Sequence, residues 1–327
     1  MIERYRGGQP LAEVVRSDFV EGLHRGSVVV LGPDGSVLAR AGDVDGAVFP
    51  RSSNKPMQTV GALRSGLTLD DPRDVALVSA SHRGETFHIA RVRAILDRAG
   101  LGPEDLGCPP DLPVDPESRD VVVAAGRGPS RLAMNCSGKH AGMLATCVAN
   151  GWSTHDYLDP AHPLQRANFA AVEDLTGDTI VATGIDGCGA PLFAFGLTGL
   201  ARAFRRLVHA EAGTHERAVA DAMRAHPELV SGTRGFDTRL MRAVPGLLCK
   251  GGAEGVVALA IPDVGAVAVK VDDGAARAAR PVAVAALRCL LDLSGIDTDK
   301  PVLDELATSP LLGGGGEVGS VRPVWPI

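Results

Sequence analysis

Val256-Val257-Ala258-Leu259-Ala260-Ile261-Pro262-Asp263-Val264-Gly265-Ala266-Val267-Ala268-Val269-Lys270-Val271 is two short apolar runs around a turn. Small and β-branched residues on either side of Pro262-Asp263-Val264-Gly265 predict a hairpin with strands at 256–261 and 266–271. A helical pattern follows at about 275–293. The same device stands near the other end of the chain. Residues 27–31 are apolar and β-branched, Gly32-Pro33-Asp34-Gly35 is a turn, and residues 36–40 alternate outward.

Between the hairpins the periodicity is helical. Residues 85–99 place Ile89, Val92, Ile95 and Leu96 on one face, with Gly100 as a stop. Residues 139–149, 164–175, 200–209 and 214–226 read the same way, and 108–130, rich in Pro, Asp and Gly, reads as a long surface loop. Strands at both ends with helices between them predict an α/β (α+β) fold. In it, one antiparallel sheet is built from both chain ends, flanked by helices, with a mostly helical middle layer. No clean linker interrupts the chain, so one domain over 1–327 is expected, with a helical insertion at roughly 85–245. The only low-complexity tract is Gly313 to Gly316.

Composition narrows the partners. The chain has 327 residues, is 45% hydrophobic and 22% charged, and carries a net charge of −6, as ordinary globular proteins do. Basic residues are scattered and aromatics are 4%, which argues against nucleic acid. No apolar run is long enough to cross a bilayer, and the amino terminus lacks the apolar core of a signal peptide. Cys108, Cys136, Cys147, Cys188, Cys249 and Cys289 are widely spaced, which fits a reduced, cytoplasmic setting.

Only five of the thirty-three basic residues are lysine, and three of the five stand in motif-like contexts. A lysine can lose its proton when desolvated and an arginine cannot, so retained lysines point to a base or a metal-ligating amine. Ser52-x-x-Lys55 follows strand-like Ala47-Val48-Phe49-Pro50 and precedes a helical pattern from Pro56 to Leu63. Residues three apart on a helical turn share a face, which puts the Lys55 amine within reach of the Ser52 hydroxyl. Pro56 disfavours α geometry at Lys55, so a tightened turn is expected there. An isolated S-x-x-K is more often an exposed helix cap than a catalytic pair.

Its company raises the odds. Serine enzymes of the penicillin-recognising type add a Lys-Thr-Gly on a late strand, and Lys250-Gly251-Gly252 falls at that place with Gly for Thr. Ser81, in Ala80-Ser81-His82, is a second candidate hydroxyl, or equally a strand-to-loop cap. Asn135-Cys136-Ser137-Gly138-Lys139-His140 and Asp186-Gly187-Cys188 are glycine-bearing loops with one cysteine each. Two thiolates with one or two nitrogens suit tetrahedral zinc, His140 being the more conventional nitrogen donor and buried unliganded cysteine the commoner fate. Asp186 is an orienting acid or a turn former. The remaining histidines, Lys270 and Lys300 read as structural or solvated.

Taken together, Arg51-Ser52-x-x-Lys55-Pro56, Ala80-Ser81-His82, Asn135-Cys136-Ser137-Gly138-Lys139-His140, Asp186-Gly187-Cys188 and Lys250 resemble the rhizobial-type class 3 L-asparaginases, the asparaginase II family. The resemblance runs from the first hairpin to the helix ending at Leu293. It implies a serine β-lactamase/glutaminase-like fold, hydrolysis of L-asparagine to L-aspartate and ammonia, and a homodimer. It also implies two Ser–Lys tandems, Ser52 with Lys55 and Ser81 with Lys250, with Asp186 beside them. Arg51, Asn135 and His140 would then bind substrate, and Cys136, Lys139 and Cys188 would hold Zn2+ that helps place it. Cys249 departs from the small residue expected before Lys250. A glutaminase, a penicillin-type serine hydrolase, a zinc hydrolase and a non-enzymatic zinc-binding protein are the alternatives.

Overall fold

The computed structural model describes residues 4–297 and 300–325. The domain expected over 1–327 thus includes residues 1–3, 298–299 and 326–327, which lie outside the described residues. The strands are β1 (Gln9–Arg16), β2 (Phe19–Leu31), β3 (Val37–Ala41), β4 (Ala47–Val48), β5 (Ala182–Ile185), β6 (Pro191–Gly196), β7 (Leu248–Gly252), β8 (Val256–Ile261), β9 (Gly265–Val271), β10 (Ser309–Gly313) and β11 (Gly316–Pro323). The helices are α1 (Lys55–Arg64), α2 (Pro72–Val78), α3 (Thr86–Arg98), α4 (Pro116–Ala124), α5 (Ser137–Ala149), α6 (Pro163–Thr176), α7 (Leu197–His209), α8 (His215–Ala225), α9 (Pro227–Ser231), α10 (Phe236–Ala243), α11 (Ala276–Leu293) and α12 (Pro301–Leu306).

The predicted terminal hairpin is β8–β9, antiparallel, with Val256 opposite Lys270 and Ile261 opposite Gly265. Its turn holds Asp263 at φ 60°. The first hairpin pairs β2 with β3, and β2 also pairs β9, setting Val28 opposite Val269. That last ladder joins the two chain ends in one sheet. The strand order is β10-β11-β1-β2-β9-β8-β7, with β3 on β2. The sheet is antiparallel throughout, as the order of elements predicted.

All six residues of β8 and six of seven in β9 are buried. Strands buried on both faces read as continuous apolar runs rather than alternation. Both α7 and α11 pack against β8 and β9. The small side chains Ala258, Ala260, Ala266 and Ala268 leave room for those helices. Each fully buried Val or Leu there contributes roughly 1.5–3 kcal/mol.

Several elements differ from the sequence expectation. The loop expected at 108–130 contains α4, capped by Asp115, whose side chain accepts from Ser118 N at 2.9 Å. Pro116 stands at the helix start, where a missing N–H costs nothing, so its signal was a cap rather than a break. The middle layer also carries β5 and β6, which join β4 in a separate three-stranded sheet. The glycine tract at 313–316 is the turn of hairpin β10–β11, with Gly314 at φ 59° and Gly315 at φ 86°. Glycine is used there because side chains rarely adopt such φ.

Two apolar clusters result. One fills the space between the sheet, α1, α7 and α11; the other lies among α2, α3 and α5. Met57 and Cys249 belong to the first, Ala80, Cys136 and Cys188 to the second, so the motif residues meet at the seam. Among the described residues no helix is long and apolar enough to cross a membrane.

Candidate active site

Residues 51–54 form a single 3-10 turn between β4 and α1. Arg51, directly before Ser52, has φ 51°, a left-handed conformation that a long side chain adopts only under constraint. The constraint is visible on β7, an edge strand lying against this turn. Ser53 Oγ donates to Lys250 O at 3.0 Å, and a Cβ on Gly252 would stand 2.7 Å from Pro50 O. Gly252 therefore has to be glycine for the strand to approach. Lys55 is α-helical (φ −58°, ψ −39°) despite Pro56. The preference against α geometry before proline is overridden by the tight turn in front of it.

The Lys55 amine does not bond Ser52. It is 1% exposed and donates to Ala80 O at 2.6 Å, Ser81 Oγ at 3.0 Å and Cys136 Sγ at 3.1 Å. A buried amine needs acceptors for its N–H groups, and these three lie across the seam while Ser52 faces the cleft. The Ser52 side chain has no hydrogen-bond partner among the described residues and lines that cleft.

Ser81 is fixed by its backbone: Ser81 N donates to Val230 O at 3.0 Å and His82 N to Asn135 O at 3.1 Å. Its hydroxyl is the hub of the site, for Lys250 also donates to Ser81 Oγ at 3.0 Å. Lys250 further donates to Gly251 O at 2.6 Å and lies 3.9 Å from Asp237. Burial pushes the Lys250 amine down to about 8; the Asp237 carboxylate opposes that shift and Lys55 adds to it. Between pH about 8 and the ordinary value of 10.5 the folded protein holds fewer protons on Lys250 than the unfolded chain does. This group's contribution to stability therefore rises with pH across that window.

Asp237, buried at the start of α10, was not singled out from the sequence. It accepts from Gly251 N at 3.0 Å and lies 4.0 Å from Cys249 Sγ. Cys249 packs in the core cluster, so the departure before Lys250 is absorbed there.

The second group lies beneath. Lys139 donates to Cys188 Sγ at 3.2 Å, and Cys188 Sγ is 3.8 Å from Asp186 Oδ2. The Cys188 thiol is held well below the ordinary range by a hydrogen bond from Cys136 and, against burial, by Lys139; Cys136 is pushed up by the same bond and by burial. Burial opposes the Lys139 ammonium, yet the two sulfurs raise it above the ordinary lysine range. Gly138 lets α5 begin here, since a Cβ would stand 2.5 Å from Leu77 O. His140 Nδ1 is 2.7 Å from Tyr157 OH, and the buried ring stands beside the Cys188 sulfur, which favours its protonated form while burial disfavours it more.

Among the described residues no three His, Cys, Asp or Glu side chains are grouped to hold a metal. The candidate donors are instead two sulfurs and a lysine amine, with the His140 imidazole beside Cys188. Soft sulfur with nitrogen is a donor set that suits zinc.

The cleft, about 250 Å³, is lined by Ser52, Ser81, Asn135 and Lys250 of the residues expected from the sequence. Arg51 and Asp186 stand outside it, joined at 2.7 Å, with Glu254 3.6 Å from Arg51. His140 lies in the second group rather than at the cleft wall. His82 also lines the cleft, but its ring is spent on structure: Nδ1 accepts from Gly84 N and Nε2 bonds Ser137 Oγ at 2.8 Å, while burial keeps it neutral.

The sequence model of the L-asparaginase II family matches residues 12–323. The chain belongs to the L-asparaginase II family. As a member it is an enzyme, an amidohydrolase. Among solved structures, the chain is similar to a β-lactamase from Mycobacterium bovis (17% identity over 82% of this chain and 94% of that one, TM-score 0.46). A putative β-lactamase from Bacteroides dorei gives 16% identity over 76% and 84%, TM-score 0.42. A Bacillus subtilis glutaminase, in covalent complex with 5-oxo-L-norleucine, gives 13% over 84% and 89%, TM-score 0.38. No curated protein matches this L-asparaginase II sequence.

Proposed function

We propose that this enzyme hydrolyses L-asparagine to L-aspartate and ammonia through an ester on Ser52. The observation that carries the reading is an uncommitted Ser52 hydroxyl in the same cleft as Ser81, which two buried lysine amines hold from either side. With Lys250 neutral, its contact with Ser81 reverses, so that Ser81 donates to the amine. The Ser81 oxygen can then take the Ser52 proton while its own passes to Lys250. Ser52 attacks the side-chain carboxamide carbon, and Lys55 keeps Ser81 in line.

The Gly251 N–H points off the sheet edge to Asp237, and Ala253, in the turn that follows β7, lines the cleft with its own N–H. That N–H and Ser52 N–H are the donors assigned to the oxyanion. As the C–N bond breaks, the proton returns from Lys250 through Ser81 to the leaving nitrogen, which departs as ammonia. Water then cleaves the ester, handing its proton along the same path while Ser52 regains its own.

Ammonia release from L-asparagine, L-glutamine and turnover of a chromogenic β-lactam, assayed side by side, tests the substrate. Asparagine is expected to lead, and a clear glutamine or β-lactam preference would redirect the assignment.

The base role has a pH signature. A neutral Lys250 is required, so kcat/KM should climb through a limb near pH 8. Asp237 stabilises the ammonium, so in Asp237→Asn that limb should move to lower pH. Ammonia release measured from about pH 6 to about 10 checks both; a limb that stays put in the variant would remove Lys250 from the role.

For the metal, Cys136, Lys139 and Cys188 are the residues assigned to hold zinc, with His140 Nε2 alongside. When bound, zinc supplies positive charge beside Asp186 that orders the substrate end of the site. Lys139→Arg keeps the charge and cannot ligate, because arginine stays protonated. Mass-spectrometric metal analysis should find zinc in the parent and lose it in this variant, and retention would take Lys139 out of the ligand set.

A further inference from the structure

The charges in the cleft do not balance. Even with Lys250 neutral, as the reaction requires, Arg83 and Arg280 line it against Asp237 alone, and that carboxylate is already engaged by Gly251 N. Arg83 is partly spent, donating to Val114 O at 3.2 Å. Arg280 is not. Its guanidinium carbon lies 5.8 Å from the centroid of the Phe236 ring, and among the described residues it has no hydrogen bond or ion pair.

The placement follows from helix geometry. Ala276, Ala279 and Arg280 of α11 share one face and all line the cleft. The two alanines keep that wall low, so the guanidinium reaches over it. The guanidinium lies over the Phe236 ring, a contact that uses none of its N–H donors. A planar fork with its donors unspent, facing a cleft of net positive charge, is matched by a carboxylate. A cavity of about 250 Å³ is small beside the ~300–1,000 Å³ of sites for larger ligands.

We infer that Arg280 binds the α-carboxylate of the substrate and makes this enzyme prefer ω-amides that carry a free α-carboxylate. The inference rests on the amide-hydrolysing reading above. Arg280 is a specificity residue and takes no part in bond making.

β-Alaninamide is asparagine without its α-carboxylate, so it reports on this contact alone. Arg280→Met should raise KM for L-asparagine about 10- to 30-fold with kcat within about 3-fold, the range of one charge-assisted contact at a part-open site. Turnover of β-alaninamide should stay at its parent level, and Arg280→Lys should recover part of the asparagine loss. Equal losses on both amides, or no change on asparagine, would overturn the inference. If the parent enzyme hydrolyses neither amide, it is the asparaginase reading that has failed. Calorimetric binding of L-aspartate then decides on Arg280: weaker binding in Arg280→Met supports it, and equal or absent binding in both proteins rejects it.

Discussion

Ser52→Ala is expected to lower ammonia release from L-asparagine by about 10³- to 10⁶-fold, the usual consequence of removing a nucleophile. The variant should fold as the parent does. The Ser52 side chain holds up nothing in the structure, since it has no hydrogen-bond partner among the described residues, and substitutions away from such features usually stay within about 0.5 kcal/mol. Ser53→Ala is the matched control one residue along. There the hydroxyl donates to Lys250 O, so its loss should cost about 1 kcal/mol of stability and far less activity. Melting temperature and steady-state rates on the two variants separate chemistry from scaffolding. Near-parental turnover by Ser52→Ala would end the assignment.

Lys250→Met is expected to cost about 10²- to 10⁴-fold in kcat, the range of a positioned general base, and to erase the limb near pH 8. Methionine keeps most of the volume of this buried side chain, so the cleft should persist. Lys250→Arg is the sharper form of the test. It keeps a positive charge near Asp237 and Ser81 but cannot be neutral at any working pH. If Lys250 acts as a base, arginine should be as inactive as methionine. Should arginine restore turnover, the residue supplies charge only, and the relay through Ser81 is wrong.

The two hairpins were legible because each is local: apolar β-branched runs on either side of a turn specify their own pairing. Their union through β2 and β9 followed from element order. The helix α4 was not, because Asp115-Pro116 reads equally as a loop and as a cap when nothing else is known. The site divides the same way. Residue types and motifs picked out Ser52, Lys55, Ser81, Lys250, Cys136, Lys139 and Cys188, and the fold brings them to one seam.

What the motif spacing misplaced was the partnership. Lys55 looks toward Ser52 on an isolated turn, yet its acceptors come from residues 80, 81 and 136, and only tertiary packing sets those distances. Asp237 and Arg280 carried no signal in sequence. One is an acid in the first turn of a helix, the other an arginine in an arginine-rich chain, and each gains meaning from what stands opposite it.

The central claim is an aspartyl ester on Ser52, and it can be read directly. The enzyme is acid-quenched during turnover of L-asparagine, digested, and mapped by mass spectrometry for a hydroxylamine-sensitive aspartyl adduct. The account predicts the adduct on the peptide carrying Ser52 and its absence in Ser52→Ala. An adduct on Ser81 instead, or steady ammonia release with no ester on either serine, would contradict it.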